Sequence, residues 1–215
     1  MDATCADEQL TLVIQAGELL SPLFWHDPCD GEVQDAYTAL RNLDTVAAAQ
    51  EWPFVDFDEA RSGLELMKRD LSQPKGLEDI AQEYRRLFVG PFKKATPPWG
   101  SVYTDRECVV FGASTLALRS WMREHGVAWH ADDRTPEDHI GLMLALMAWV
   151  AANRSELLDE YMRDHLLTWA PHFLDEVESA AEDDFYRGLA ALTRATLEGI
   201  RAARGIEVHR PRFYR

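Results

Sequence analysis

An all-α fold is predicted by three features of the sequence. Apolar residues recur three and four apart along most of the chain, as they do on one face of a helix. Helix start and stop signals punctuate those runs at short intervals, with Asp, Ser or Thr before them and Gly or Pro after them. Only Arg106–Phe111 has strand character, and it is short. The expectation is a single-domain helical bundle over residues 1–215. It has about nine helices and one long irregular segment rich in Pro and aromatic residues.

Leu10, Val13, Ile14, Leu19 and Leu20 fit a first helix that Pro22 ends. A second is predicted across Val33–Leu43, after the Asp30-Gly31 break. Asp44-Thr45 caps a short third through Ala47-Ala48-Ala49, and Trp52-Pro53-Phe54 reads as a turn. Asp58–Leu71 follows, closed by Ser72-Gln73-Pro74. Leu77–Val89 places Ile80, Tyr84, Leu87 and Phe88 on one face and stops at Gly90-Pro91. From there to about Gly112 the backbone reads as irregular.

Ser114 is expected to cap a helix Thr115–His125, ended by Gly126. Thr135-Pro136-Glu137-Asp138 carries the signals of a helix start: Thr as N-cap, Pro in the first turn and acids near the positive end of the dipole. That helix continues through Ile140–Ala152, a 13-residue run that is apolar on every side, which predicts burial. Leu157–Leu167, Phe173–Ala181 and Phe185–Arg204 follow, the last capped by Asp183-Asp184 and stopped by Gly205. The tail Ile206–Arg215 has no helical period, and its arginines are expected to be solvated.

The 37 acidic and 22 basic side chains give a formal net charge of -15. Such a field repels nucleic-acid phosphates and anionic headgroups and steers cationic partners inward. The three cysteines, Cys5, Cys29 and Cys108, are widely spaced and form no C-x-x-C pair. Met1–Glu8 is acidic and lacks the basic start of a secretory signal. The longest apolar run falls short of the roughly 18 residues a membrane span needs. A cytoplasmic protein with no direct membrane insertion is expected.

Two clusters are candidates for function. Glu137-Asp138-His139 opens the buried helix, and a carboxylate beside an imidazole suits guanidinium recognition, metal binding or acid–base work. Its competing role is structural, because Asp138 stands at the capping-box position after Thr135. Tyr84, Phe88, Phe92, Trp99 and Tyr103 form the second cluster, as core or as a groove wall. No metal motif, P-loop or G-x-S-x-G elbow is present, so no catalytic residue, metal or cofactor is assigned.

The pattern Tyr84-x-x-x-Phe88-x-Gly90-Pro91, followed by Pro97-Pro98-Trp99-x-Ser101-x-Tyr103, resembles the TorD/DmsD/NarJ chaperones of molybdenum oxidoreductases. Thr135-Pro136-Glu137-Asp138-His139 is similar to the family's Glu-Pro-x-Asp-His motif. The DmsD branch is the nearest in Gly100–Gly112, Ser114–Glu124, Trp169–Asp175 and Asp184–Arg187. The likeness covers residues 76–215 well and the first 75 in helical character alone.

It implies an all-helical cytoplasmic chaperone, not an enzyme, that is monomeric or dimeric. It would bind the twin-arginine leader of a DMSO reductase-like catalytic subunit. Export would wait until folding and cofactor insertion are complete. Partners then include the precursor and the Tat export machinery, the latter bringing the chaperone to the inner membrane. Carried over residue by residue, the leader contacts are Tyr84, Leu87, Phe88, Phe92, Pro98, Trp99, Tyr103, Gly112, Asp138 and His139. Two positions depart from the pattern. Thr135 stands where the motif begins with Glu, which makes Glu137 the compensating acid, and Tyr84 stands where the branch often has Trp. A metal-dependent hydrolase or lyase using Glu137, Asp138 and His139 is the alternative, and a helical adaptor with no leader preference is a third reading.

Overall fold

The computed structural model describes residues 3–91, 94–128, 135–209 and 211–215. Among them are eleven α-helices and no strand. The helices are α1 Ala3–Trp25, α2 Gln34–Arg41, α3 Thr45–Glu51, α4 Phe57–Leu71, α5 Gly76–Tyr84, α6 Gly100–Thr104, α7 Ala113–Glu124, α8 Ile140–Asn153, α9 Leu158–Tyr161, α10 Ala170–Ala180 and α11 Asp184–Arg204. Helix α5 runs on into a π-turn, Arg85–Val89, and α9 into another, Met162–Leu166. The all-α expectation holds.

The chain divides into two compact units. The first comprises Met1–Ser21, Pro98–Ala170 and Arg204–Arg215; the second comprises Pro22–Pro97 and Pro171–Ala203.

In the first unit α8 is buried along almost its whole length, as its uniformly apolar sequence demands. Helix α1 reaches it through Gly17, where an added Cβ would lie 2.6 Å from the Leu144 carbonyl oxygen. The Tyr161 hydroxyl, fully buried, donates to the Met143 carbonyl oxygen at 2.7 Å.

In the second unit α4 and α11 cross where neither carries a side chain. A Cβ on Gly188 would stand 2.5 Å from the Gly63 carbonyl oxygen. Asp70, at the end of α4, accepts from the backbone N–H groups of Asp184 and Phe185 at 2.7 and 2.9 Å. Asp183 accepts from Tyr186 N at 2.9 Å, so two carboxylates satisfy the first N–H groups of α11. Phe24, Phe88, Phe173, Phe185 and Tyr186 fill the core of this unit.

Several local expectations need correction. Helix α1 does not stop at Pro22 but continues to Trp25. Proline removes one N–H, the one that would have met the Glu18 carbonyl, and the next turn closes with His26 N on Pro22 O at 3.0 Å. Arg106–Phe111 is a turn rather than a strand, with Cys108 and Phe111 at positive φ of 50° and 65°. It has no strand to pair with among the described residues.

The segment read as irregular contains α6. Ser114 lies inside α7, whose N-cap is Gly112. Thr135 does not open the buried helix, which starts at Ile140 with His139 as its cap. The tail is not wholly solvated: Tyr214 N donates to Tyr103 O at 2.9 Å, and Ile206 is buried.

Candidate functional site

Of the site residues, the second unit holds Tyr84, Leu87 and Phe88, and the first holds Pro98, Trp99, Tyr103, Gly112, Glu137, Asp138 and His139. Phe92 lies outside the described residues.

In the second unit all three are buried side chains. The Phe88 ring packs edge-on against Tyr84 and Tyr186 and near Phe24 and Phe173. The Tyr84 hydroxyl donates to Trp25 O at 3.0 Å. Burial pushes that phenol well above its ordinary range, so it stays a neutral donor.

The π-turn after Tyr84 is closed by Gly90, whose N–H reaches Arg85 O at 2.9 Å. Gly90 sits at φ +106°, ψ -169°, a backbone state that a Cβ would forbid. The chain then folds back, and Ala95 and Thr96 donate to the carbonyls of Arg86 and Leu87. Glu83 and Arg86, which sequence reasoning passed over, hold this end of the unit. Arg86 forms two bonds to Glu83 at 2.6 Å and one to Ala180 O at 2.6 Å.

In the first unit the second half of the Pro-aromatic motif meets the Asp-His motif directly. Trp99 and His139 form an isolated antiparallel bridge. Gly100 N donates to Asp138 O at 3.0 Å, and Ile140 N donates to Pro98 O at 2.8 Å. Each segment therefore satisfies the first N–H of the helix that the other begins.

The side chains continue the exchange. Asp138 Oδ2 accepts from Ser101 N at 2.7 Å and from Ser114 Oγ at 3.3 Å. His139 Nδ1 accepts from Gly141 N at 3.1 Å, which places the imidazole proton on Nε2. The Trp99 ring stands edge-on to His139 with centroids 5.7 Å apart. Gly100 is required where it is, since a Cβ there would lie 2.6 Å from the Trp169 indole. Gly112 plays a similar part: a Cβ would come within 2.8 Å of Asp105 Oδ2, the oxygen that accepts from Ala113 N.

Asp138 thus has a capping role, but for α6 and not for its own helix. It is 2 % exposed. Burial raises its pKa, against the opposing pull of Ser101 N and the hydroxyls of Thr115, Ser101 and Ser114. The Ser101 and Thr115 hydroxyls lie near it without closing a hydrogen bond, and its Oδ1 meets no donor among the described residues. Burial pulls His139 down to about 3, so the ring is neutral and a poor base at neutral pH. Glu137 is half-buried and paired with Arg119 at 2.6 Å.

Pro98 and Tyr103 are buried, and Trp99 is the partly exposed aromatic of the set. A narrow cleft between α7 and the π-turn Met162–Leu166 leads to Asp138, lined also by Ser114, His165, Thr168 and Trp169. The sequence reading missed this lining, because the π-turn that carries it looks like ordinary helix. Among the described residues no His, Cys, Asp and Glu side chains converge as a metal-ligand set.

Helices in this order define a class already represented among solved structures. The "Putative Redox Enzyme Maturation Protein" of Archaeoglobus fulgidus matches 88% of this chain and 93% of its own with a TM-score of 0.52, at 20% identity, a likeness of fold. The family model described as "Nitrate reductase delta subunit" matches residues 56–175. The "Probable Tat proofreading chaperone DmsD" of Haemophilus influenzae is 42% identical over 93% of this chain and 95% of its own. The "Tat proofreading chaperone DmsD" of Salmonella typhi is 41% identical over 83% and 84% respectively. The chain belongs to the TorD/DmsD/NarJ family of maturation chaperones, which are not enzymes.

Proposed function

We propose that this chain binds the twin-arginine leader of a DMSO reductase-like precursor in the cytoplasm, as a monomer, and releases it to the export machinery once folding and cofactor insertion are complete. The observation that carries this reading is the reciprocal capping of Pro98–Ser101 and Asp138–Ile140. It bridges the partly exposed Trp99 to the segment that carries Asp138, a buried carboxylate. A leader supplies the matching chemistry: guanidinium groups for the carboxylate and an apolar stretch for the aromatic rim. The net charge of -15 steers such a cationic peptide inward.

The hydrolase or lyase reading lacks a base, since His139 is neutral and used as a cap and Glu137 is held by Arg119. Calorimetric titration with a synthetic Arg-Arg leader, and with a Lys-Lys control, tests the proposal. Tight binding of the first and weak binding of the second are expected. Failure of both to bind would refute it.

A further inference from the structure

We propose that the chain's own tail, residues 211–215, lies on part of the surface that receives the leader, so that the free protein masks its site and the leader displaces the tail on binding. The proposal rests on the leader-binding reading. It adds a docking strip along Tyr103 and Cys108, and an intramolecular competitor for that strip.

Composition comes first. Three of the last six residues are arginines, Arg210, Arg212 and Arg215, and Phe213 and Tyr214 stand between the last two. The whole chain carries a net charge of -15, so the tail is a local reversal of sign. Closely spaced guanidinium groups beside an apolar stretch are the chemistry assigned above to the leader. The acidic field that draws such a peptide inward holds the tail down as well.

The contacts come second. Residues 206–209 and 211–215 form neither helix nor strand. Buried Ile206 anchors one end of the tail in the first unit. At the other end both backbone groups of Tyr214 are engaged. Its N–H donates to Tyr103 O at 2.9 Å, and its carbonyl oxygen accepts from Cys108 Sγ at 3.8 Å. Tyr103 O is one of the carbonyls that α6 leaves without an intrahelical partner, so a donor from elsewhere must meet it. A backbone N–H serves whatever its side chain, and an extended leader carries one at nearly every residue.

These contacts hold the tail lightly. A thiol is a weak donor. Tyr214 is 42% exposed. The Arg212 guanidinium lies over the Tyr214 ring at 5.4 Å and is paired with no carboxylate among the described residues. That cation–π contact is internal to the tail and survives its release. Displacement at Tyr214 breaks one backbone hydrogen bond and one S–H contact.

Position comes third. Tyr103 is at the opposite end of α6 from Trp99 and from the Ser101 N–H that Asp138 caps. A five-residue helix is about 8 Å long, which about three residues of extended peptide span. A peptide engaged at Trp99 comes to Tyr103 within a few residues and meets the tail there.

A synthetic Arg-Arg leader is titrated calorimetrically into the full-length chain, into a chain ending at Val208, and into full-length Tyr214→Pro. The last keeps the tail and removes the N–H that Tyr103 O accepts. One backbone hydrogen bond corresponds to roughly two- to tenfold in an equilibrium constant, so both variants should bind the leader tighter than the native chain by roughly that factor. A peptide of residues 209–215 added in trans should weaken leader binding to the shortened chain, and the same peptide carrying Tyr214→Pro should leave it unchanged. Should the shortened chain fail to fold, Tyr214→Pro decides alone. Leader affinity in Tyr214→Pro equal to or weaker than the native value would overturn the proposal and leave leader binding in place. If the leader binds none of the three proteins, the leader reading fails, and the strip is judged on the tail peptide: saturable binding to the shortened chain, lost with Tyr214→Pro, supports it, and no binding overturns it.

Discussion

Replacing Asp138 by Ala and by Asn separates its two properties, an acceptor and a charge. Alanine removes the acceptor for Ser101 N and for the Ser114 hydroxyl, and leaves a buried N–H without a partner. An unmet buried donor costs about 1–3 kcal/mol, and the lost side-chain volume adds to it. For a chain of this length each kcal/mol is worth roughly 2–4 °C, so a fall of about 4–10 °C in Tm is expected. Asparagine keeps an oxygen for Ser101 N and loses the charge.

The pKa of Asp138 is raised by burial, so the folded carboxyl binds its proton more tightly than the unfolded one. Its contribution to wild-type stability is fully present below the unfolded carboxyl pKa and is lost as pH rises through the folded value. Asp138→Asn escapes that loss. Its Tm relative to wild type should therefore climb with pH, while Asp138→Ala stays below wild type throughout. Differential scanning calorimetry from pH 4 to pH 8 measures all three proteins. Equal melting of the Ala and Asn variants at low pH would show that the carboxyl does not cap α6.

Three further outcomes are expected. Asp183, which burial and the nearby Glu83 and Asp70 carboxylates raise to about 7, keeps its Tyr186 N acceptor in Asp183→Asn. The wild-type contribution fades as pH rises from the unfolded carboxyl range through about 7, so the variant should gain on wild type over that window, and a pH-independent difference would count against the assignment. Gly100→Ala drives a Cβ to 2.6 Å from the Trp169 indole and should lower Tm by about 4–8 °C, an overpacking cost near 2 kcal/mol; unchanged melting and Trp fluorescence would mean that the ring moves aside freely. Gly90→Ala should destabilise the π-turn by roughly 1–3 kcal/mol in urea unfolding, because φ +106° is closed to a Cβ; a wild-type midpoint would contradict that geometry.

The helical class was legible because many helix ends are written locally. Asp44 accepts from Val46 N and Ala47 N, and Gly126 and Gly205 take the positive φ that stops α7 and α11. The failures share a physical cause. Residues 135–139 carry a Thr, a Pro and two acids in the order of a helix start, yet Asp138 accepts from Gly100 N and Ser101 N, and the next residue, Ile140, donates to Pro98 O. A tertiary partner far along the chain outbid the local cap, and no local pattern encodes that. The π-turns at Arg85–Val89 and Met162–Leu166 are invisible for a related reason. One extra residue per turn leaves the apolar spacing nearly unchanged, and packing decides it. Asp138 was found by its motif, whereas its partners Ser101 and Ser114 and the cleft residues of the π-turn needed coordinates.

The structural duty of Asp138 does not call for a charge. Ser101 N needs an acceptor, and the amide oxygen of asparagine would provide one as well. Ser114 needs an acceptor too, which the same oxygen supplies. The charge is an added burden: the carboxyl is almost fully buried, no cation among the described residues is bonded to it, and burial pushes its pKa up. A residue whose neutral analogue would cap as well and fold more stably is accounted for by something the neutral analogue cannot do. Accepting a guanidinium is such a task, since the arriving cation cancels the burial cost and favours the ionised form. Leader binding should therefore tighten as pH rises through the raised pKa of the free protein's carboxyl and expel a proton over that window, and Asp138→Asn should be a stable protein that binds poorly. Calorimetry in buffers of different ionisation enthalpy reads the proton directly. Leader binding by Asp138→Asn at wild-type affinity, with no proton released by the wild type, would leave the charge unexplained and remove Asp138 from the site.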